Sequence, residues 1–213
     1  MLKLYGFKKV NKFARGSTRD LRILWALEEM QMPYELVGMD HPAQDLNSAA
    51  YKKMNPLQQI PVIDDDGNVL SESGAILIYL AKKSGKLIPK DLAGESQVIR
   101  WCFAALNSIE IPLMSILMLD WQGPKENRSY REFLAGWADR HLGNLELWLK
   151  DHSFVATGSF TVADILLTNV LQVVKDQSLL EKFENIRAYR DRNLARPAWK
   201  KTLEKYLEYV EPA

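Results

Sequence analysis

Between residues 54 and 85 the chain alternates short apolar runs with polar punctuation. The runs 61–63 and 69–70 flank Asp64-Asp65-Asp66-Gly67-Asn68, a turn signal, so the pattern predicts a β-hairpin. Apolar Ile76, Tyr79 and Leu80 then follow Ser73 at helical spacing. Lys82 and Lys83 in the last turn and Gly85 as the stop complete a predicted helix with Ser73 as its N-cap. Ile60 precedes Pro61, which biases it to extended geometry, and its N–H and C=O are expected to face outward at a sheet edge. The breaker-rich stretch 82–91 ends this regime. Beyond it the apolar spacing turns helical, with helices predicted over 95–120, 127–150, 161–175, 178–193 and 197–208, the last opening at Pro197. Thr161 and Asp164 have capping-box spacing, with Phe160 and Ile165 in the staple positions, a folding role rather than a chemical one. The division is residues 1–83, a linker at 84–94, and an all-helical region at 95–213.

Charge and composition narrow the function classes. With 28 basic and 27 acidic residues in 213, the net charge of +1 gives no field for nucleic acid or an anionic membrane surface. The most apolar stretch, 109–119, carries Glu110, Pro112 and Ser115 and is far short of the ~20 residues of a bilayer span. The opening Met-Leu-Lys-Leu-Tyr-Gly reads as a strand without a signal-peptide core, so a cytoplasmic address is expected. Cys102 is the single cysteine, which excludes an internal disulfide and any paired-cysteine redox or zinc motif. His41, His141 and His152 are scattered, and neither a metal nor a nucleotide is expected.

The chemistry concentrates at Glu72-Ser73. A helix N-terminus offers unpaired N–H groups and a positive dipole end to a carboxylate, while the acidic side chain of Glu72 suits an ammonium group. A γ-glutamyl head carries both charges. The alternative is that the two residues only cap the helix.

Asn55-Pro56, Ile60-Pro61-Val62 and Glu72-Ser73-Gly74-Ala75-Ile76 together resemble the N-terminal, thioredoxin-like domain of the glutathione transferase family. The resemblance extends upstream to a strand at 1–6, a helix at 20–30 ending Trp25-Ala26-Leu27-Glu28-Glu29, and a strand at 32–37. Downstream, Phe160-Thr161-Val162-Ala163-Asp164-Ile165 is similar to the helix-capping segment of the family's all-helical second domain. The resemblance implies an α/β plus all-α chain, thioredoxin-like then all-helical. It further implies a cis bond at Pro61, main-chain pairing of Ile60 with the cysteinyl part of glutathione, and a γ-glutamyl group held by Glu72 and Ser73. Gln58 and Gln59 take positions where a polar side chain faces glutathione, and Asn107 is similar to an asparagine that approaches it in some bacterial-type classes. Lys52 and Lys53 are left outside the site as solvated charges.

Glutathione's thiol must be stabilised as thiolate, and the family does this with Tyr, Ser or Cys in the loop after the first strand. Here residues 7–19 contain no Tyr or Cys. Counted back from Leu21-Arg22-Ile23, Ser17 falls on the family's serine, with Thr18 as a second hydroxyl donor. The spacing of the thiol-transferring classes falls on Arg15 instead, which could favour thiolate by charge. Ser17 is the first choice as the catalytic group, and a helix-capping Ser17 with a solvated Arg15 is the structural alternative. Met114, Met118 and Trp121 stand on an apolar face of the kind that would line an electrophile site, or else serve as core or dimer contact. The expected activity is conjugation of glutathione to an apolar electrophile in a homodimer. The alternatives are glutathione-dependent reduction of peroxides or disulfides, or a non-catalytic binding module.

Overall fold

Leu2, Leu4, Gly6 and Val10 point inward while the residues between them are half-buried or exposed, and this period of two makes β1 (Leu2–Val10) an inner strand. In the computed structural model, which describes residues 1–123 and 127–213, β1 pairs in parallel with β2 (Glu35–Asp40) and antiparallel with β3 (Val62–Asp65). β3 pairs antiparallel with β4 (Asn68–Ser71), for a strand order β2-β1-β3-β4. The predicted hairpin is present: Asp66 and Gly67 both have positive φ, 52° and 94°, the signature of a two-residue turn that matches strand twist. Asp64 Oδ1 accepts from the Gly67 amide at 2.8 Å.

The crossover helix α1 (Asp20–Met30) is buried at nearly every position, with only Glu28 and Glu29 half-exposed. A helix apolar on most sides needs covering on most sides. α3 (Ser73–Ser84) packs on it, and so does α9 (Pro197–Tyr209), with α2 (Ala49–Met54) elsewhere in the same unit. The Trp25 and Trp199 rings lie 4.9 Å apart, Arg196 grips Glu29 with two bonds of 2.6 and 2.9 Å, and Lys201 and Lys205 reach Glu28. These contacts explain the division into compact units, Met1–Leu87 with Arg196–Ala213, and Ile88–Ala195. The helix expected to close the all-helical region therefore packs on α1 and belongs to the unit that holds the strands. After it, β5 (Glu211–Pro212) pairs with β1 at Lys9 and Val10.

The second unit has only helical elements among its described residues, joined by irregular segments such as 152–161. α4 (Leu92–Phe103) runs through a π-helical stretch, Ala104–Glu110, into α5 (Ile111–Gln122). Pro112 lacks an amide hydrogen, so the turn before it cannot keep the regular ladder. The span Leu92–Trp121 is long and apolar enough to cross a membrane by length and composition, a correction to the expectation drawn from 109–119 alone. Val98, Trp101, Cys102, Ile109, Leu113 and Ile116 on this span are buried, while Leu92, Phe103, Ile111, Met118 and Trp121 are exposed. α6 (Arg128–Asp151) buries Leu134, Ala138, Leu142, Leu145 and Leu149 as one stripe. Residues 124–126, within the expected all-helical region, lie outside the described ones.

α7 (Val162–Gln172) starts on the expected capping box, and α8 (Glu184–Leu194) begins six residues later than the expected 178. Asp176 explains the delay: its carboxylate accepts from the Ser178 amide at 3.1 Å and hydroxyl at 2.6 Å, holding a short 3₁₀ turn (Gln177–Leu179) in place of α-helix.

Candidate functional site

β4 ends at Ser71, and the chain enters α3 through a single residue. Glu72 makes that turn at φ 69°, ψ 113°, a positive φ that a non-glycine residue adopts at a cost of roughly 1–3 kcal/mol. Glu72, not Ser73, is the N-cap, and its exposed side chain makes no capping bond. The first intrahelical bond runs from the Ile76 amide to the Glu72 carbonyl at 2.9 Å, so the amides of Ser73, Gly74 and Ala75 have no acceptor within the helix. Ser73, first in the helix and buried, accepts from Arg22 Nη1 at 3.1 Å. Arg22 is itself 1% exposed. A charged residue between Leu21 and Ile23 on an apolar helix is the signal that the sequence carries for it. The other end of α3 is clamped to β3, where Tyr79 donates to Asp65 at 2.6 Å and Lys83 pairs with the same oxygen. The Lys83 ammonium, aided by Tyr79, holds the Asp65 carboxyl below the usual carboxylate range.

The loop before β3 is shaped by two side chains that the sequence did not single out for this role. Tyr51 Oη and Asn55 Nδ2 both donate to the Gln59 carbonyl at 2.8 Å, and Asn55 Oδ1 accepts from the Leu57 amide at 3.0 Å. Gln58 occupies a left-handed conformation, φ 54°, and the Ile60-Pro61 bond is cis. Ladder pairing starts at Val62, opposite Tyr5 and Ser71. β3 is an inner strand, so Ile60 does not lie on a sheet edge as expected; its main chain lies outside the ladder because the ladder stops short of it. Its side chain is buried beside Met39, Leu46, Tyr51 and Val62. A cleft of about 430 Å³ lined by His41, Asn47 and Gln58 adjoins the loop.

The three candidates for thiol activation have different engagements. Ser17 is half-buried, follows Gly16 at φ 82°, and donates its hydroxyl to the Ala14 carbonyl at 2.9 Å. Thr18 is buried, its hydroxyl 2.7 Å from Tyr206 Oη. Arg15 donates Nε to the Val210 carbonyl at 2.8 Å and Nη2 to that of Leu207, which places its charge at the C-terminal end of α9, where a helix favours a cation. Met114, Met118 and Trp121 belong to the second unit, on α5, where Leu113 and Ile116 face the core while Met118 and Trp121 are about 40% exposed. Asn107 lies in the π-helical stretch. Cys102 is buried, which pushes its thiol up to about 12 and leaves it protonated and unreactive at neutral pH. Among the described residues no three His, Cys, Asp or Glu side chains gather as a metal site would need.

Comparison with known proteins finds a family in each half of the chain. Residues 9–82 match the model of the glutathione S-transferase N-terminal domain, and residues 109–210 that of a glutathione S-transferase C-terminal domain. A glutathione S-transferase of Hyoscyamus muticus is 26% identical over 203 residues, covering 86% of this chain and 92% of the relative. The glutathione S-transferase hmp2 of Hypomyces subiculosus is 39% identical over 92 residues, a match that spans 42% of this chain and 39% of that protein. Among solved structures, a glutathione transferase of Burkholderia graminis with two glutathione molecules bound per subunit superposes with a TM-score of 0.83 at 28% identity, covering 95% of this chain and 87% of that one.

Proposed function

The chain belongs to the glutathione S-transferase family, and from that premise we propose that it is a glutathione transferase joining the glutathione thiolate to an apolar electrophile. The observation that carries the reading is the start of α3: an exposed Glu72 carboxylate beside three amides with no intrahelical acceptor. The γ-glutamyl ammonium pairs with Glu72, and its α-carboxylate takes the open amides and the Ser73 hydroxyl, where Arg22 adds positive charge. The cysteinyl main chain pairs with Ile60, left outside the ladder, while Gln58 and Gln59 stand beside it.

Ser17 is the catalytic group of this reading. Its proton rests on the Ala14 carbonyl, so turning to the glutathione sulfur exchanges a neutral hydrogen bond for one to an anion, which is the stronger of the two. Arg15 and Thr18 act through α9, one at its C-terminal carbonyls and the other at Tyr206. In the reaction the thiolate sulfur forms the new S–C bond. The electrophile's leaving group departs with the electron pair of the bond that breaks. Met114, Met118 and Trp121 offer apolar surface for that second substrate, in a protein that works as a cytoplasmic homodimer.

Calorimetry with glutathione, together with thiolate absorbance against pH, tests the assignment. Glu72→Gln is expected to weaken binding ~10–150-fold, the equivalent of ~1.5–3 kcal/mol for a hydrogen bond to a charged group. Ser17→Ala is expected to leave binding within a few fold, raise the bound thiol's pKa and slow conjugation of an aryl halide. Absence of binding at millimolar glutathione refutes the reading, and an unchanged thiol pKa with wild-type turnover in Ser17→Ala removes the catalytic assignment.

A further inference from the structure

The first unit contains a cavity of about 200 Å³ that the glutathione reading does not use. It is a slot between α1, α9 and the outermost strand of the sheet, β2. Asp20, Leu24 and Glu28, each roughly one turn after the last, all line it, so it runs about 12 Å along α1. Tyr206 and Tyr209 stand on the α9 side, and Leu36, with Tyr34 just before the strand, on the sheet side.

The slot offers a guest mostly carbon. Asp20 Oδ1 and Thr202 Oγ1 have no accessible surface, and the Asp20 carboxylate is held by the Thr18 hydroxyl and the amides of Phe7, Asp20 and Leu21. Tyr206 commits its hydroxyl to Thr18 at 2.7 Å. Tyr209 lays its own against Gly38, where any Cβ would collide with it. Both tyrosines are thus left to line the slot with their rings. The two charged groups, half-exposed Glu28 and exposed Lys205, pair with each other at 3.1 Å. Cavities of this character favour an apolar guest over water.

We propose that this cavity binds a small neutral alkylbenzene, its ring against Leu24 and Leu36 and against the rings of Tyr206 and Tyr209. The volume sets the size class: a cavity of roughly 150 Å³ holds benzene, and the remaining space suits a methyl or ethyl group. Offset or edge-on contacts with the tyrosine rings add to the gain from buried area. A charged arene is disfavoured. Glu28 is already engaged by Lys201 and Lys205, and an ammonium or carboxylate group deeper in the slot would lose its water without meeting a counter-charge. The site shares no residue with the proposed glutathione site and stands without that reading.

Methyl NMR of full-length protein labelled at leucine and methionine tests the proposal. Benzene, toluene, ethylbenzene and benzylamine are titrated with and without saturating S-methylglutathione. The Leu24 and Leu36 methyls report the cavity, and those of Met114 and Met118 report the apolar surface on α5. The three hydrocarbons are expected to saturate the Leu24 and Leu36 shifts, with affinity rising about fourfold per added carbon, the worth of one buried CH₂ group. Benzylamine, isosteric with ethylbenzene, should bind at least tenfold more weakly. Tyr209→Ala should cost ethylbenzene at least fivefold, and since Tyr209 is 38% exposed its loss does not threaten the fold. Leu36→Phe, which fills the space, should abolish saturation at Leu24. The proposal is overturned if the hydrocarbons shift only the methionine methyls, if benzylamine binds as tightly as ethylbenzene, if S-methylglutathione displaces the hydrocarbons, or if Tyr209→Ala binds ethylbenzene as wild type does.

Discussion

Replacing Asp164 is expected to remove about as much stability as any single change in the second unit. The side chain is fully buried, and each carboxylate oxygen accepts two bonds: Oδ1 from the Val155 amide at 2.9 Å and Tyr189 Oη at 2.8 Å, Oδ2 from the Thr161 amide at 2.8 Å and the Thr161 hydroxyl at 2.9 Å. In Asp164→Asn one oxygen becomes an NH₂ group. Whichever way the amide turns, the hydroxyl on that side can rotate to accept, but one main-chain N–H then faces a donor, at a cost of ~1–3 kcal/mol. Asp164→Ala leaves both main-chain amides and the Tyr189 hydroxyl without their acceptor. The gain from no longer burying a charge offsets part of that, so the net loss is expected near ~4 kcal/mol, within the range for breaking a buried charged network. Urea unfolding of the two variants reads the difference as a lower midpoint at unchanged slope. An Ala variant within ~1 kcal/mol of wild type, or an Asn variant worse than Ala, would refute this account of the network.

Asp65 supplies a prediction in pH. Its carboxyl is held low by Lys83 and Tyr79, so its contribution is present above the ordinary carboxylate pKa and is lost as pH falls through the depressed folded value. Asp65→Asn is expected to lower stability at neutral pH and to flatten its fall in acid; an acid limb as steep as that of wild type counts against this. Tyr51→Phe removes one of the two donors to the Gln59 carbonyl and is expected to cost ~1 kcal/mol in urea unfolding and to weaken glutathione several-fold in calorimetry. If both measurements match wild type, the loop does not depend on that bond.

Local chemistry explains what was legible in the sequence. The hairpin at Asp66-Gly67 and the helix start at Thr161 are written in residues adjacent in the chain, whose turn and cap preferences survive tertiary context. Glu72 and Ser73 were legible as a pair, but which of them caps depends on a backbone angle that no residue preference announces. Arg15 and Arg22 were harder, because their partners are 192 or more and 51 positions away and a charge in a loop or helix carries no mark of its acceptor. The same distance hid the packing of α9, since its apolar stripe would serve either unit equally well until Trp199 meets Trp25. At 178–183 a helical spacing lost to a side-chain-capped turn at Asp176, a competition settled by one carboxylate.

The first unit is assembled from two separate stretches of chain, 1–87 and 196–213. During synthesis its sheet and first helices leave the ribosome early, yet the face of α1 that carries Trp25, Glu28 and Glu29 stays uncovered until all of 88–195 has been made. The helical unit, contiguous in the chain, has no such wait. Order of emergence and order of completion therefore run opposite ways: the half that is translated first can finish folding only second, and a chaperone guarding a nascent chain of this protein would find its apolar target on α1.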